Sequence, residues 1–238
     1  AVHYALEQLF KKMSGGYLNS DESFGRFHKQ YQFPAAASLI SDFKEYMQGH
    51  RSIFTNEAFE RRLQYGEEVL CNYYDHYIKS WNKVVSVERN MRGITINGVP
   101  IKGKPDKLEF NGKEVNIVDY KTGDIEKALS KLSPPNEFDP NGGDYWRQAV
   151  FYKILVDNYN KKGWQVISAE FDFIEPYKNK EYRKEKILIQ PADITTVTRQ
   201  LTEVWSMVQA RQFYTGCGSH NCHWCNFVKD NKLAIAFH

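Results

Sequence analysis

No stretch of this 238-residue chain approaches the ~18 consecutive apolar residues that a membrane span requires, and no secretory signal pattern is visible in it. Cysteine is scarce. The four residues Cys71, Cys217, Cys222 and Cys225, three of them near the end, do not form the disulfide framework of a secreted domain and favour the cytoplasm. A net excess of one sign of charge is nearly absent: 32 Lys and Arg against 29 Asp and Glu leave +3. That total does not demand a nucleic-acid partner, although a basic face that tracks phosphates fits within it. An initiator methionine is lacking, and the chain opens on Ala1 inside a helical pattern, so it reads as part of something longer. What is present is apolar material: 42% hydrophobic and 15% aromatic residues. This suffices for one large domain or two small ones with a substantial core.

The most informative stretch is Gly103 to Gly123, GKPDKLEFNGKEVNIVDYKTG. Asn111-Gly112 predicts a type I′ turn and hence a tight β-hairpin. Pairing Phe110 with Lys113 around that turn sets Asp106 opposite Ile117, with Asp119 as its diagonal neighbour. Residues two apart on a strand share a face, so Ile117, Asp119 and Lys121 point the same way as Asp106. Diagonal neighbours lie about 7–8 Å apart. Two carboxylates can then converge on one hard cation with an ammonium beside them. Mg²⁺ is commonly held by one or two carboxylates plus water and phosphate oxygens. Such a cation activates water and polarises a phosphoryl group, and a neighbouring lysine offsets developing charge. The plainer alternative is a solvated hairpin with its charges turned outward.

Pro105-Asp106, the thirteen-residue step to Asp119, and Asp119-Tyr120-Lys121-Thr122-Gly123 resemble the PD-(D/E)XK nuclease superfamily. The DYKTG form is similar to its RecB-like branch, which includes the nuclease domains of RecB and AddB helicase-nucleases. In that branch a helix resembling G-x-x-x-H-x-x-L-E supplies a metal-binding histidine. His3, Leu6 and Glu7 match its end. A Q-x-x-x-Y helix lines the active site, and Gln148 and Tyr152 match it. An acidic residue often stands on an earlier strand, where Glu88 falls. The resemblance implies a metal-dependent deoxyribonuclease, most simply an exonuclease, using Mg²⁺ or Mn²⁺. His3, Asp106, Asp119 and the carbonyl of Tyr120 hold the ion. Asp106, Asp119 and Lys121 carry the chemistry, with Lys121 orienting water. Gln148 and Tyr152 position DNA. It also implies a helicase partner, N-terminal in the same polypeptide or a separate subunit, in repair or recombination. The rival readings are a catalytically silent DNA-binding or scaffolding module of the same fold, and a hydrolase of small phosphoesters.

The order of elements predicts an α/β fold: a mixed central β-sheet flanked by helices, a restriction-endonuclease-like core with a helical N-terminal elaboration. The expected division of a single domain over 1–238 is a helical part over about 1–82, a core over about 83–190, and a terminal helix and cysteine segment over about 191–238. Helices are predicted over Ala1 to Met13, Ala35 to Met47, Asn56 to Ser80, Asp144 to Asn158 and Asp193 to Phe213. Strands are predicted over Lys83 to Arg92, Trp164 to Ile174 and Glu181 to Ile189. A second hairpin turns at Asn97-Gly98, so that the chain runs as an antiparallel meander into the Asp119 strand. Residues 14–34 and 131–143 read as loops.

Several nucleases of this branch hold a [4Fe–4S] cluster on one upstream and three C-terminal cysteines. Cys222 and Cys225 match two of the C-terminal positions, but Asn231 stands at the third and Cys217 is extra. An iron–sulfur cluster is therefore not expected. The Cys and His types in this segment also suit zinc.

Overall fold

A computed structural model describes residues 1–13, 32–160, 162–178, 181–212 and 220–230. Three helices lead the chain: α1 (Val2–Lys11), α2 (Ala36–Gly49) and α3 (Asn56–Tyr77). The α3 start is set by Thr55, whose hydroxyl accepts the Ala58 N–H and so satisfies a donor that lacks an intrahelical partner. Five strands follow: β1 (Val85–Val87), β2 (Met91–Ile96), β3 (Val99–Gly103), β4 (Lys107–Asn111) and β5 (Glu114–Lys121). A short α4 (Ile125–Ala128) and the long α5 (Asp144–Asp157) carry the chain back for β6 (Gln165–Phe173) and β7 (Lys184–Ile187). The described chain ends with α6 (Pro191–Gln209) and α7 (His223–Asp230). Helix α6 begins two residues before the sequence suggests, because Pro191 suits the first helical position and the Asp193 carboxylate accepts the Gln190 N–H.

The main sheet has the order β1-β4-β5-β6-β7. Only the β5–β6 pair is parallel, and the stretch holding α4 and α5 is the crossover that a parallel pair needs. The fold is thus a mixed α/β sheet flanked by helices, as expected. The continuous meander is not what forms. Strands β2 and β3 make a separate two-stranded sheet, and β1 pairs directly with β4. The hairpin leaves the sheet because its apolar side chains, Met91, Ile94, Val99 and Ile101, join the core around α5. Its last residue, Gly103, lies so close to that helix that an added Cβ would stand 2.7 Å from Leu155 Cδ2.

The two Asn-Gly turns also part ways. Asn97 and Gly98 both have positive φ, 49° and 81°, between the paired Ile96 and Val99, as a type I′ turn requires. In the other hairpin Asn111 itself pairs with Glu114, and the central residues are Gly112, at φ 61°, and Lys113. Phe110 therefore pairs with Val115 rather than Lys113. The slip is two residues along one strand. An even slip preserves the faces, but it sets Asp106, one step beyond the Lys107–Val118 pair, against Asp119 instead of Ile117.

Strand β5 is buried on both faces, with period-2 division of labour. Val115 and Ile117 pack toward Trp146, Ala149 and Val150 of α5. Val118 and Tyr120 pack toward Leu6 and Phe10 of α1 and Leu70 and Tyr73 of α3. The second layer holds buried polar groups. Tyr73 donates to Asp172 Oδ2 at 2.6 Å, and Lys184 Nζ lies 2.8 Å from the same oxygen. Lys107 is wholly buried, with its ammonium 2.9 Å from Glu109 and 5.3 Å from the centre of the Tyr120 ring. Among the described residues no helix is long and apolar enough to cross a membrane.

Candidate active site

The site lies where β5 runs out of the sheet. The hydrogen-bond ladder between β4 and β5 is continued there by a side chain: the N–H of Tyr120 donates to Asp106 Oδ2 at 2.9 Å. The carbonyl oxygen of the same residue lies 2.7 Å from His3 Nε2, and that nitrogen lies 3.6 Å from Asp106 Oδ2. Helix α1, fixed on one face of the sheet by Leu6 and Phe10, thereby brings its first turn to the strand end.

The opposite face contributes the rest. Lys121 Nζ lies 2.6 Å from Asp119 Oδ2 and donates to Gln148 Oε1 at 2.9 Å. Gln148 Nε2 donates to Asp119 Oδ1 at 2.8 Å and to the Tyr152 hydroxyl at 3.3 Å. Gln148 and Tyr152 share this role because residues four apart on α5 lie on one face. The structure so gathers all seven residues named from sequence: His3, Asp106, Asp119, Tyr120, Lys121, Gln148 and Tyr152. It also shows what Gln148 touches, which spacing alone left open. One amide links the carboxylate of Asp119 to the ammonium of Lys121.

Burial grades across the site. The Asp119 side chain is 7% exposed, Asp106 19% and His3 45%, so the site opens toward α1. Burial and the facing charge of Asp119 push the Asp106 carboxyl up to about 6, against the pull of His3 and the Tyr120 N–H. Burial also raises Asp119, an effect that Lys121 moderates. Burial pushes Tyr152 up to about 12, with the negative charges of Asp119, Asp106 and Glu88 adding to the shift. Its hydroxyl stays a hydrogen-bond donor at neutral pH.

Glu88 stands at the rim in a left-handed conformation, φ 49°. Its N–H donates to the Asp106 carbonyl oxygen at 2.9 Å, and its carboxylate pairs with Lys104. Its negative charge is among the influences that raise Asp106. Two contributors carried no sequence signal. Lys104 is an ordinary loop lysine in sequence. Tyr145 lies under the Lys121 ammonium, 4.3 Å from its ring centre.

Among the described residues no three His, Cys, Asp or Glu side chains stand together as a preformed metal site. The donors engage one another instead, His3 with the Tyr120 carbonyl and Asp119 with Lys121. Their chemistry nonetheless fits a hard divalent cation. They offer two carboxylates, a carbonyl oxygen and one imidazole, and two opposed carboxylates of raised pKa gain from a cation between them. Elsewhere, Cys222 directly precedes α7 and Cys225 lies within it. Cys217 and Asn231 lie outside the described residues.

A mixed sheet flanked by helices, ending in two opposed carboxylates and a lysine, defines the architecture of a phosphodiester hydrolase of the PD-(D/E)XK kind. The sequence model of the PD-(D/E)XK nuclease superfamily matches residues 1–229, and the chain belongs to that superfamily. No curated protein matches it. Among solved structures, a candidate exonuclease from Eubacterium rectale is similar at 16% identity and TM-score 0.44, over 93% of this chain and 86% of that one. The protein SSO0001 is similar at 16% identity and TM-score 0.36, over 73% of this chain and 70% of that one.

Proposed function

We propose that this protein is a Mg²⁺- or Mn²⁺-dependent deoxyribonuclease. The observation that carries the reading is the facing of Asp106 and Asp119 across the strand end, with His3 and the Tyr120 carbonyl on one side and Lys121 on the other. Asp106, Asp119, His3 and that carbonyl are the residues that would hold the ion. A divalent cation held there would supply Lewis-acid charge to the scissile phosphate and an activated water. Lys121 serves the phosphate and the attacking water. Its ammonium, which pairs with Asp119, is held near the strand end by Gln148, where it would face the phosphate and the water. The Tyr152 hydroxyl, which accepts the Gln148 amide, would be free to donate its own proton toward a phosphate oxygen. Burial of the Asp119 side makes each of these charges act in a medium of low dielectric, where it has more effect on the developing charge than in water.

The DYKTG strand, the His3 helix and the Gln148–Tyr152 pair support assignment to the RecB-like branch. From them we infer exonucleolytic action in repair or recombination, beside a helicase portion or subunit. The test is cleavage of labelled linear DNA with Mg²⁺, Mn²⁺ or EDTA by the wild type and by Asp119→Ala. Metal-dependent shortening by the wild type alone is expected. Equal cutting in EDTA, or full activity of Asp119→Ala, would overturn the assignment. Binding of DNA without cutting under any metal supports the scaffolding alternative.

A further inference from the structure

Between α4 and α5 the chain makes a loop whose tip carries the most exposed aromatic side chain among the described residues. Phe138 is 91% exposed. Such exposure normally accompanies a loose segment, but this loop is closely tied. Asn136 Oδ1 accepts the N–H groups of both Phe138 and Asp139, at 2.9 and 3.0 Å. The Asn136 and Gly142 N–H groups both donate to the Asp139 carbonyl. Gly143 N–H donates to the Ser133 carbonyl at 2.9 Å, and Gln200 of α6 donates to the Asn141 carbonyl at 3.0 Å. An apolar ring is thus held in water by a loop that fixes its place.

Beside that ring is an open concavity of about 440 Å³, which Phe138 lines together with Lys131, Ser133 and Asn136. Its volume accommodates a nucleobase with its sugar. Lys131 also connects it to the catalytic lysine. The Lys131 and Lys121 ammoniums lie 5.3 and 4.3 Å from the centre of the same ring, that of Tyr145. A strand with one phosphate at Lys121 therefore finds a second cation a short step away, and next to it a flat, apolar surface.

We propose that Phe138 is a stacking platform for the base one nucleotide beyond the scissile phosphate, with Lys131 holding the phosphate that joins that nucleotide to the one at the cleavage site. This deepens the nuclease reading and rests on it. It also commits to a substrate form. A ring can stack on a base only where that base's face is uncovered, so the engaged segment is single-stranded DNA or a frayed end. Asp139 and Asp144 also line the concavity. They oppose phosphates close to them, so the backbone runs along the Lys131 side.

The experiment measures binding of a short single-stranded oligonucleotide in EDTA, where nothing is cut. It compares wild type, Phe138→Ala, Phe138→Trp and Lys131→Gln. Each is titrated with the intact strand, with strands carrying one abasic site moved along the sequence, and with a blunt hairpin duplex. The expected result is a roughly ten- to hundredfold loss for Phe138→Ala on the intact strand and retention for Phe138→Trp. One abasic position should weaken the wild type by a similar factor yet leave Phe138→Ala unchanged. The duplex should not distinguish these proteins. Lys131→Gln should reduce the salt dependence by about one phosphate contact. Because Phe138 is exposed, its removal does not threaten folding. Wild-type affinity in Phe138→Ala, or a loss that does not depend on the abasic position, overturns the platform while leaving the nuclease reading intact. A wild type that binds no DNA, either in EDTA or with Ca²⁺ in its place, overturns both.

Discussion

Asp106 Oδ2 accepts the N–H of Tyr120 at 2.9 Å, so the peptide group that follows Asp119 is bonded to the carboxylate facing it. One backbone unit thus fixes the relative height of the two acids, and its next carbonyl reaches His3. The separation of the acids is set by a strand pair rather than by flexible side chains.

Substitution of the acids and the lysine should separate their roles. Asp119→Ala is expected to abolish both cleavage and the heat of Mn²⁺ binding in calorimetry. Lys121→Met should retain the binding heat and lower kcat on the order of 10²–10³. A Lys121→Met protein that loses metal affinity as well would show that the lysine orders the site rather than acting on the phosphate.

Gln148→Ala should lower kcat as well as DNA affinity. Its amide bonds to both Lys121 and Asp119, so its removal frees the lysine and leaves a buried carboxylate short of a donor. A residue that only grips DNA would raise KM and spare kcat. Steady-state kinetics on a labelled oligonucleotide distinguishes the two patterns.

The metal-free protein should become less stable as the solution is made more alkaline through the mildly acidic range. Asp106 has a folded pKa of about 6, raised by burial and by Asp119, whereas an unfolded Asp titrates near ~4. Between those values the folded chain holds a proton that the unfolded chain has released. Its contribution to stability is complete below the lower value and is lost as pH rises through the upper one. Thermal melts in EDTA from pH 4.5 to 7.5 should show this slope in the wild type and a flatter one in Asp106→Asn. Added Mg²⁺ should raise Tm more at pH 7.5 than at pH 4.5.

Tyr73→Phe should destabilise the fold without touching the site. The Tyr73 hydroxyl donates at 2.6 Å to Asp172, a fully buried carboxylate. Losing one hydrogen bond to a charged group costs about 1.5–3 kcal/mol. Urea unfolding should register a lower midpoint at unchanged slope, with kcat under native conditions close to wild type.

Much of the arrangement is legible in the sequence. Strand alternation requires Asp119 and Lys121 to share a face, and helical spacing puts Gln148 and Tyr152 together. Both are properties of local backbone geometry, so they survived a hairpin register two residues away from the one that Asn111-Gly112 suggests. The branch of β2 and β3 away from the main sheet was not legible, because it depends on how their apolar residues fit α5. Nor was Lys107, a lysine like any other in sequence that the packing of α1 against Tyr120 encloses completely.

The sequence by itself determined which residue types stand on which face of which element, because side-chain direction repeats every two or 3.6 residues whatever the surroundings. Only the tertiary structure decided that Asp106 stands against Asp119 rather than Ile117, that His3 meets the Tyr120 carbonyl, and that Gln148 joins Asp119 to Lys121. Those are contacts between elements far apart in the chain, and their energies come from packing both faces of one central strand at once.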